Sequence, residues 1–253
     1  INFLKPIKHS FPFHVEGSTV TAEDLIKTAE LYLNASQSFH TQSLLKSNRK
    51  MSIKSPDLQL GSLVARGDLT LEGENLRYTH DSNTSLKVGG GLTFRTGPHG
   101  FLNLHQPLLL GGPLCVETGQ FLNQSRLWIT QGDIDLNIKG PIENNHISMA
   151  QIFALNGAAT ISSQGFKNTF GQIFAKKSIE INTEGKLENG GAHFKQAQVE
   201  AMREADLDLI RIGEFGCLFG EPEEFEDAPQ QFNDYFQYSN GGFIITEGNI
   251  ALH

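Results

Sequence analysis

Ile179-Glu180-Ile181-Asn182-Thr183-Glu184-Gly185-Lys186-Leu187-Glu188-Asn189-Gly190-Gly191 reads as a short strand followed by a turn. Ile179 and Ile181, spaced by two, share one face of a strand, while Glu180 between them faces the other way. The Gly and Asn residues that follow are turn formers. One such unit is unremarkable on its own, so what matters is whether it recurs.

It recurs along most of the chain. Apolar pairs with one residue between them begin at Leu31, Met51, Leu69, Leu92, Leu114, Ile134, Ala159, Ile179, Leu207 and Ile250. The steps between them run from 18 to 28 residues, except for a final step of 43 that reads as a double step with a copy missing near residue 229. Six positions ahead of most triplets stands a second apolar residue: Leu25, Leu45, Leu63, Leu86, Leu108, Trp128, Phe153, Ile173 and Ile244. Two positions ahead of many, glycine recurs as Gly67, Gly90, Gly112, Gly132, Gly157 and Gly248, where a bend without a Cβ is expected.

The unit is therefore strand, bend, strand and turn. A coil of about 22 residues cannot bury its single inward stripe alone, whereas coils stacked at the ~4.8 Å spacing of adjacent strands make a continuous apolar column. Ankyrin and tetratricopeptide units are longer and follow a 3.6-residue period, and leucine-rich repeats need a Leu/Asn framework that is absent here. The expected fold is all-β, a parallel β-helix (β-solenoid) of about 10 to 11 coils over residues 25–253. Residues 1–24 fit no repeat and are expected to form an N-terminal cap or linker, with Phe3, Phe11 and Phe13 plugging the first coil.

Composition agrees with this reading. The 253 residues carry 26 glycines, 9 prolines and 38% hydrophobic residues, describing a turn-rich folded chain rather than a disordered one. The 20 basic residues are scattered among 28 acidic ones, for a net charge of −8, which argues against nucleic-acid binding and against affinity for anionic membranes. No apolar run is long enough to insert into a bilayer as a helix. Cys115 and Cys217 lack pairing or metal-ligand spacing and are expected to be unpaired thiols. The chain opens on Ile1 without a signal-peptide pattern, and its repeat is still running at Leu252, so it is expected to be a piece of a longer protein.

One stretch breaks the pattern. At about 213–240 an acidic run containing Glu223 and Glu224 surrounds Phe225 and precedes Phe232, Tyr235, Phe236 and Tyr238. A long loop interrupting a regular scaffold is where partner contacts are often carried, and these aromatics are expected to lie against the solenoid flank.

The unit from Ile179 to Gly191 resembles the repeat of filamentous-haemagglutinin-like exoproteins, in which a paired-apolar strand precedes a Gly-apolar-Asn turn; Leu69 to Asn75 and Ala159 to Asn168 are looser versions. The resemblance covers residues 25 to 252 at the level of pattern. It implies a right-handed helix, two-partner secretion through an outer-membrane transporter, and a secreted or cell-surface location on a Gram-negative bacterium. It also implies a role in adhesion to a host or neighbouring-cell receptor or glycan, or as a shaft for contact-dependent toxin delivery. The Asn-Pro-Asn-type signature of that family's secretion domain is absent, so the chain would be an internal stretch.

Parallel β-helices also serve as polysaccharide lyases and hydrolases, which keeps an enzyme reading open. Its best candidate is a carboxylate cluster of Glu180, Asp206 and Asp208, expected one coil apart. Outward acids on an acidic chain are more often solubility residues, and no nucleophile elbow, phosphate loop or metal spacing supports catalysis or a cofactor. His99 and His105 are read as turn-surface residues. An adhesive module predicts outer faces rich in Thr, Ser, Asn and Gln. An enzyme predicts carboxylates converging on one groove beside the aromatics of residues 232–238.

Overall fold

The computed structural model describes residues 1–80, 85–105, 108–123, 128–145, 151–169, 171–190 and 243–253. These form an all-β parallel β-solenoid, with no helix among them, built from three sheets of twelve, ten and six strands. All strand pairs are parallel and, apart from one bulge, in register.

The apolar triplets line the twelve-stranded sheet in one unbroken register: Leu31 on Met51, Leu69, Leu92, Leu114, Ile134, Ala159, Ile179 and Ile250. Eight turns thus separate Leu31 from Ile250, and the first seven are close to 20 residues each. By the ~4.8 Å strand spacing, this stretch is roughly 38 Å long. From Leu31 to Ile181 the first and third residues of every triplet are buried, as in the 0% exposed Leu31, Met51 and Ile53, whereas Ile250 and Leu252 of the last strand are exposed. A fully buried aliphatic side chain is worth about 1.5–3 kcal/mol, so the column is the main source of stability.

Four sequence expectations need correction. The coil count is lower than 10 to 11, because Ser178–Thr183 is hydrogen-bonded directly to Asn249–Leu252, leaving no room in this sheet for coils at 207 and 229. The Leu207 triplet itself lies outside the described residues. Residues 1–24 do not stand apart: Pro12–Ala22 pairs along Glu30–Thr41, and Ile7 stacks on Ile26 in the ten-stranded sheet. Phe13 and Val15 carry the triplet pattern around His14, with Ile7 six positions ahead of Phe13. Phe3 and Phe13 do meet edge to face, at 5.9 Å, against the core, while Phe11 is exposed.

The second inward column was displaced by one residue in two coils. Ile26 and Ile152 are fully buried in it, rather than Leu25 and Phe153. Finally, the Gly/Asn turn is a third strand. Leu187–Gly190 pairs with Gly165–Thr169, and the six-stranded sheet carries its own apolar column through Tyr78, Leu102, Phe121, Ile142, Phe166 and Leu187.

Behind that column runs a ladder of asparagines. Asn123 donates to Asn144 (2.8 Å), Asn144 to Asn168 (2.6 Å) and Asn168 to Asn189 (2.7 Å), each side-chain amide engaging its counterpart one turn on. Asn123, Asn144 and Asn168 are fully buried, so the ladder satisfies polar groups that water cannot reach. The bend glycines also stack on one another. A Cβ on Gly157 would lie 2.3 Å from the carbonyl oxygen of Gly132, and one on Gly132 would lie 2.9 Å from the carbonyl carbon of Gly112. Glycine is required there by the close approach of the next coil's backbone.

Replacing Asn144 by Ala strips both neighbouring amides of a partner, at about 1–3 kcal/mol for each buried group left unpaired. Asn144→Ala is therefore expected to lose about 3 kcal/mol in a denaturant titration. The exposed-face control Asn182→Ala is expected to stay within about 0.5 kcal/mol of the native chain.

Candidate functional site

The outer face of the twelve-stranded sheet is the longest regular surface of the described solenoid. Because the triplet's flanking residues point inward, its middle residue and the residue after it form two outward rows. One row runs through His14, Tyr32, Ser52, Thr70, Thr93, Cys115, Asp135, Thr160, Glu180 and Ala251, and the other through Glu16, Asn34, Lys54, Glu72, Arg95, Glu117, Asn137, Ser162 and Asn182.

The rows divide into three zones. At the N-terminal end the His14 and Tyr32 rings stack at 4.5 Å with planes 9° apart, above a groove of about 250 Å³ that Glu16, Asn34, Ser52 and Lys54 complete. The Tyr32 hydroxyl donates to Glu30 at 2.8 Å, and that bond to a carboxylate, with some burial, raises the phenol above its usual range. In the middle, Glu72 lies between Lys54 (2.6 Å) and Arg95 (3.4 Å), so charges alternate from strand to strand. Part-exposed pairs of this kind contribute little stability, about 0–1 kcal/mol. At the C-terminal end Asn137, Ser162 and Asn182 border a groove of about 410 Å³, with Lys139, Gln164 and Glu184 on its far side and His253 at its end.

Glu180 stands in this last zone, where its carboxylate accepts from the Asn182 amide at 2.9 Å. The two strands hydrogen-bonded to its own place Thr160 and Ala251 beside it. Asp206 and Asp208 lie outside the described residues, as do Glu223, Glu224, Phe225, Phe232, Tyr235, Phe236, Tyr238 and Cys217. The nearest described acid in the same row is Asp135, two strand spacings away and so about 10 Å at the backbone.

Two other acids on this side of the coils, Asp68 and Asp133, have structural work. Asp68 accepts from the Gly91 amide at 2.8 Å and Asp133 from the Ala158 amide at 2.9 Å, each holding the bend of the following coil. Those bonds could have been anticipated from the Gly-Asp pairs at 67–68 and 132–133. His105 bonds to the side chain of Asn103 at 2.7 Å, on the six-stranded side of the molecule.

The free thiol of Cys115 is half-buried in the middle zone. Burial pushes it above the usual thiol range, and Asp135 adds to the effect, with Arg95 opposing. Comparison with protein-family models, with curated proteins and with solved structures gave no match.

Only the thiolate is nucleophilic, so a raised pKa slows alkylation at neutral pH and moves the rate's inflection upward. In a Cys217→Ser background, the rate of iodoacetamide labelling of Cys115 against pH is expected to turn up above the inflection of free cysteine. Asp135→Asn should bring that inflection down; an unshifted profile would contradict the electrostatic account.

Proposed function

We propose that this chain is a structural and adhesive β-solenoid segment of a large secreted surface protein of a Gram-negative bacterium, similar in kind to the filamentous-haemagglutinin-like exoproteins. The observation that supports the reading best is the C-terminal zone of the outer face, where Asn137, Ser162, Asn182 and Gln164 surround an open groove. Amides and hydroxyls repeated at strand spacing offer paired donors and acceptors to the hydroxyls of a glycan, with little net charge to restrict the partner. The body of the solenoid supplies reach: it is rigid because every turn is fixed by its neighbours, as a shaft between a cell surface and a receptor or delivered domain needs to be. The partners of this reading are a host or neighbouring-cell receptor or glycan, and an outer-membrane transporter that exports the full-length protein.

The enzyme reading would need two carboxylates about 5–5.5 Å apart for retention or about 6.5–9.5 Å apart for inversion of a sugar. Asp135 and Glu180, the closest described pair in the row, stand at the outer limit of that range by backbone spacing, and Glu180 is engaged by Asn182.

A glycan array and intact-cell binding, run in parallel with an assay for polysaccharide breakdown, separate the two. The native chain is expected to bind, and Asn137→Ala/Asn182→Ala to weaken binding roughly tenfold, the ~1.4 kcal/mol of one or two lost hydrogen bonds. Breakdown that Glu180→Gln abolishes would place the chain among carbohydrate-active enzymes instead. Neither binding nor breakdown would remove the adhesive half of the proposal and leave the shaft.

A further inference from the structure

Lys8, Lys27, Lys46 and Lys87 are separated in the sequence by 19, 19 and 41 residues and read singly as scattered charges. The coil brings them into one file. Lys8 pairs beside Lys27, and Lys27 beside Lys46, on the outer face of the ten-stranded sheet, and the row continues through Val64 to Lys87. Lys8, Lys27 and Lys87 are exposed and Lys46 is half-buried. Where Val64 interrupts the row, exposed Arg66 follows two residues along the same coil. Ile26–Thr28, Leu45–Ser47, Leu63–Ala65 and Leu86–Val88 are only three residues long. This face is therefore a ribbon about 10 Å wide with a single file of cations about 19 Å long, by the rise along a strand and the spacing between strands.

Among the described residues no carboxylate stands within ion-pair distance of Lys8, Lys27 or Lys46. The acids within three residues of these strands are engaged elsewhere. Asp24 accepts from the Leu25 amide at 2.7 Å, Glu23 from the Asn2 side chain at 3.3 Å, Glu30 from the Tyr32 hydroxyl at 2.8 Å and Asp68 from the Gly91 amide at 2.8 Å. On the twelve-stranded sheet the same register is neutralised by alternation, through Lys54, Glu72 and Arg95. Like charges side by side on a sheet repel, and in the lysine file a bound anion would remove that repulsion.

We propose that this file binds a linear acidic polysaccharide with one carboxylate on each sugar, a polyuronate, laid along the solenoid axis. One sugar of an extended chain is about as long as one ~4.8 Å strand step, so successive carboxylates meet successive lysines. Lysine suits such a chain, being a point charge on a flexible stem that imposes no fixed angle on its partner. A nucleic acid would call for aromatic platforms on which bases stack, and the row carries none. An anionic bilayer would meet a chain of net charge −8 across a basic ribbon one lysine wide. The file lies on a different sheet from the groove beside Asn137 and Asn182, so polyuronate binding here does not depend on that groove.

The test is calorimetric titration of the chain with polygalacturonate and with the same polymer methyl-esterified, which keeps the sugars and removes the charge. The acid polymer is expected to bind and the ester not. Affinity should fall between about 0.1 M and about 1 M salt, where the Debye length shrinks from about 10 Å to about 3 Å. Lys27→Gln/Lys46→Gln is expected to lose roughly tenfold in affinity, and Lys27→Arg/Lys46→Arg to keep it. Lys167→Gln/Lys176→Gln, which removes as much charge elsewhere, and Asn137→Ala/Asn182→Ala are expected to leave it unchanged. No binding of the acid polymer, equal binding of the ester, or equal loss from the Lys167/Lys176 variant would each overturn the proposal. Loss from the Asn137/Asn182 variant instead would assign the polymer to the other groove and overturn it too. So would tighter binding to phosphatidylserine vesicles or to single-stranded DNA, titrated alongside, since the file would then serve a partner of another class.

Discussion

Parallel, in-register strand pairing is the constraint on which everything else in this molecule depends. Once Leu69 is hydrogen-bonded beside Leu92, and Leu92 beside Leu114, every side chain has the corresponding residue of the next turn as its neighbour at about 4.8 Å. Chemistry then has to be arranged by rows. Apolar residues make columns, amides make the Asn123–Asn189 ladder, and glycines accumulate where one backbone must approach the next. Charges alternate along Lys54, Glu72 and Arg95 because like charges opposite one another on a sheet repel. The stacked lysines Lys8, Lys27 and Lys46 survive because that row is open to solvent, where the high dielectric of water holds the repulsion of neighbouring charges to about 1 kcal/mol and long side chains can splay apart.

The same constraint explains which parts of the molecule were legible. The triplets from Leu31 to Ile179 could be read directly, since two apolar residues on one strand face leave a period-2 mark and their recurrence gives the coil. The six-stranded sheet was not, because three of its strands bury one apolar residue and one asparagine, as in Phe166 and Asn168, and that pair looks like a turn in isolation. It becomes a strand only when a partner amide lies directly above it. Ile152 and Phe153 illustrate another limit. Both are apolar and adjacent, and only the register shows that Ile152 fills the interior while Phe153 lies on the outer face.

The candidate site was legible in its composition and not in its arrangement. The sequence marks Glu180 as outward, and the structure agrees, but the neighbours expected beside it depended on counting a coil at Leu207. Apolar-x-apolar triplets arise readily in any chain rich in Leu and Ile, so their spacing cannot separate a coil from an insertion. The pairing of Ile179 with Ile250 can, and it gives the places beside Glu180 to Thr160 and Ala251.

That pairing also bears on how a regular solenoid tolerates a turn of 71 residues among turns of about 20. Loop-closure entropy grows only with the logarithm of length, so lengthening a turn from about 20 to about 70 residues costs roughly 1 kcal/mol more. The pairing that closes the turn recovers far more. Phe243–Thr246 and Asn249–Leu252 each form a full parallel strand pair, and Ile244 packs against the interior column. The insertion is therefore cheap wherever the strands on either side of it keep their register.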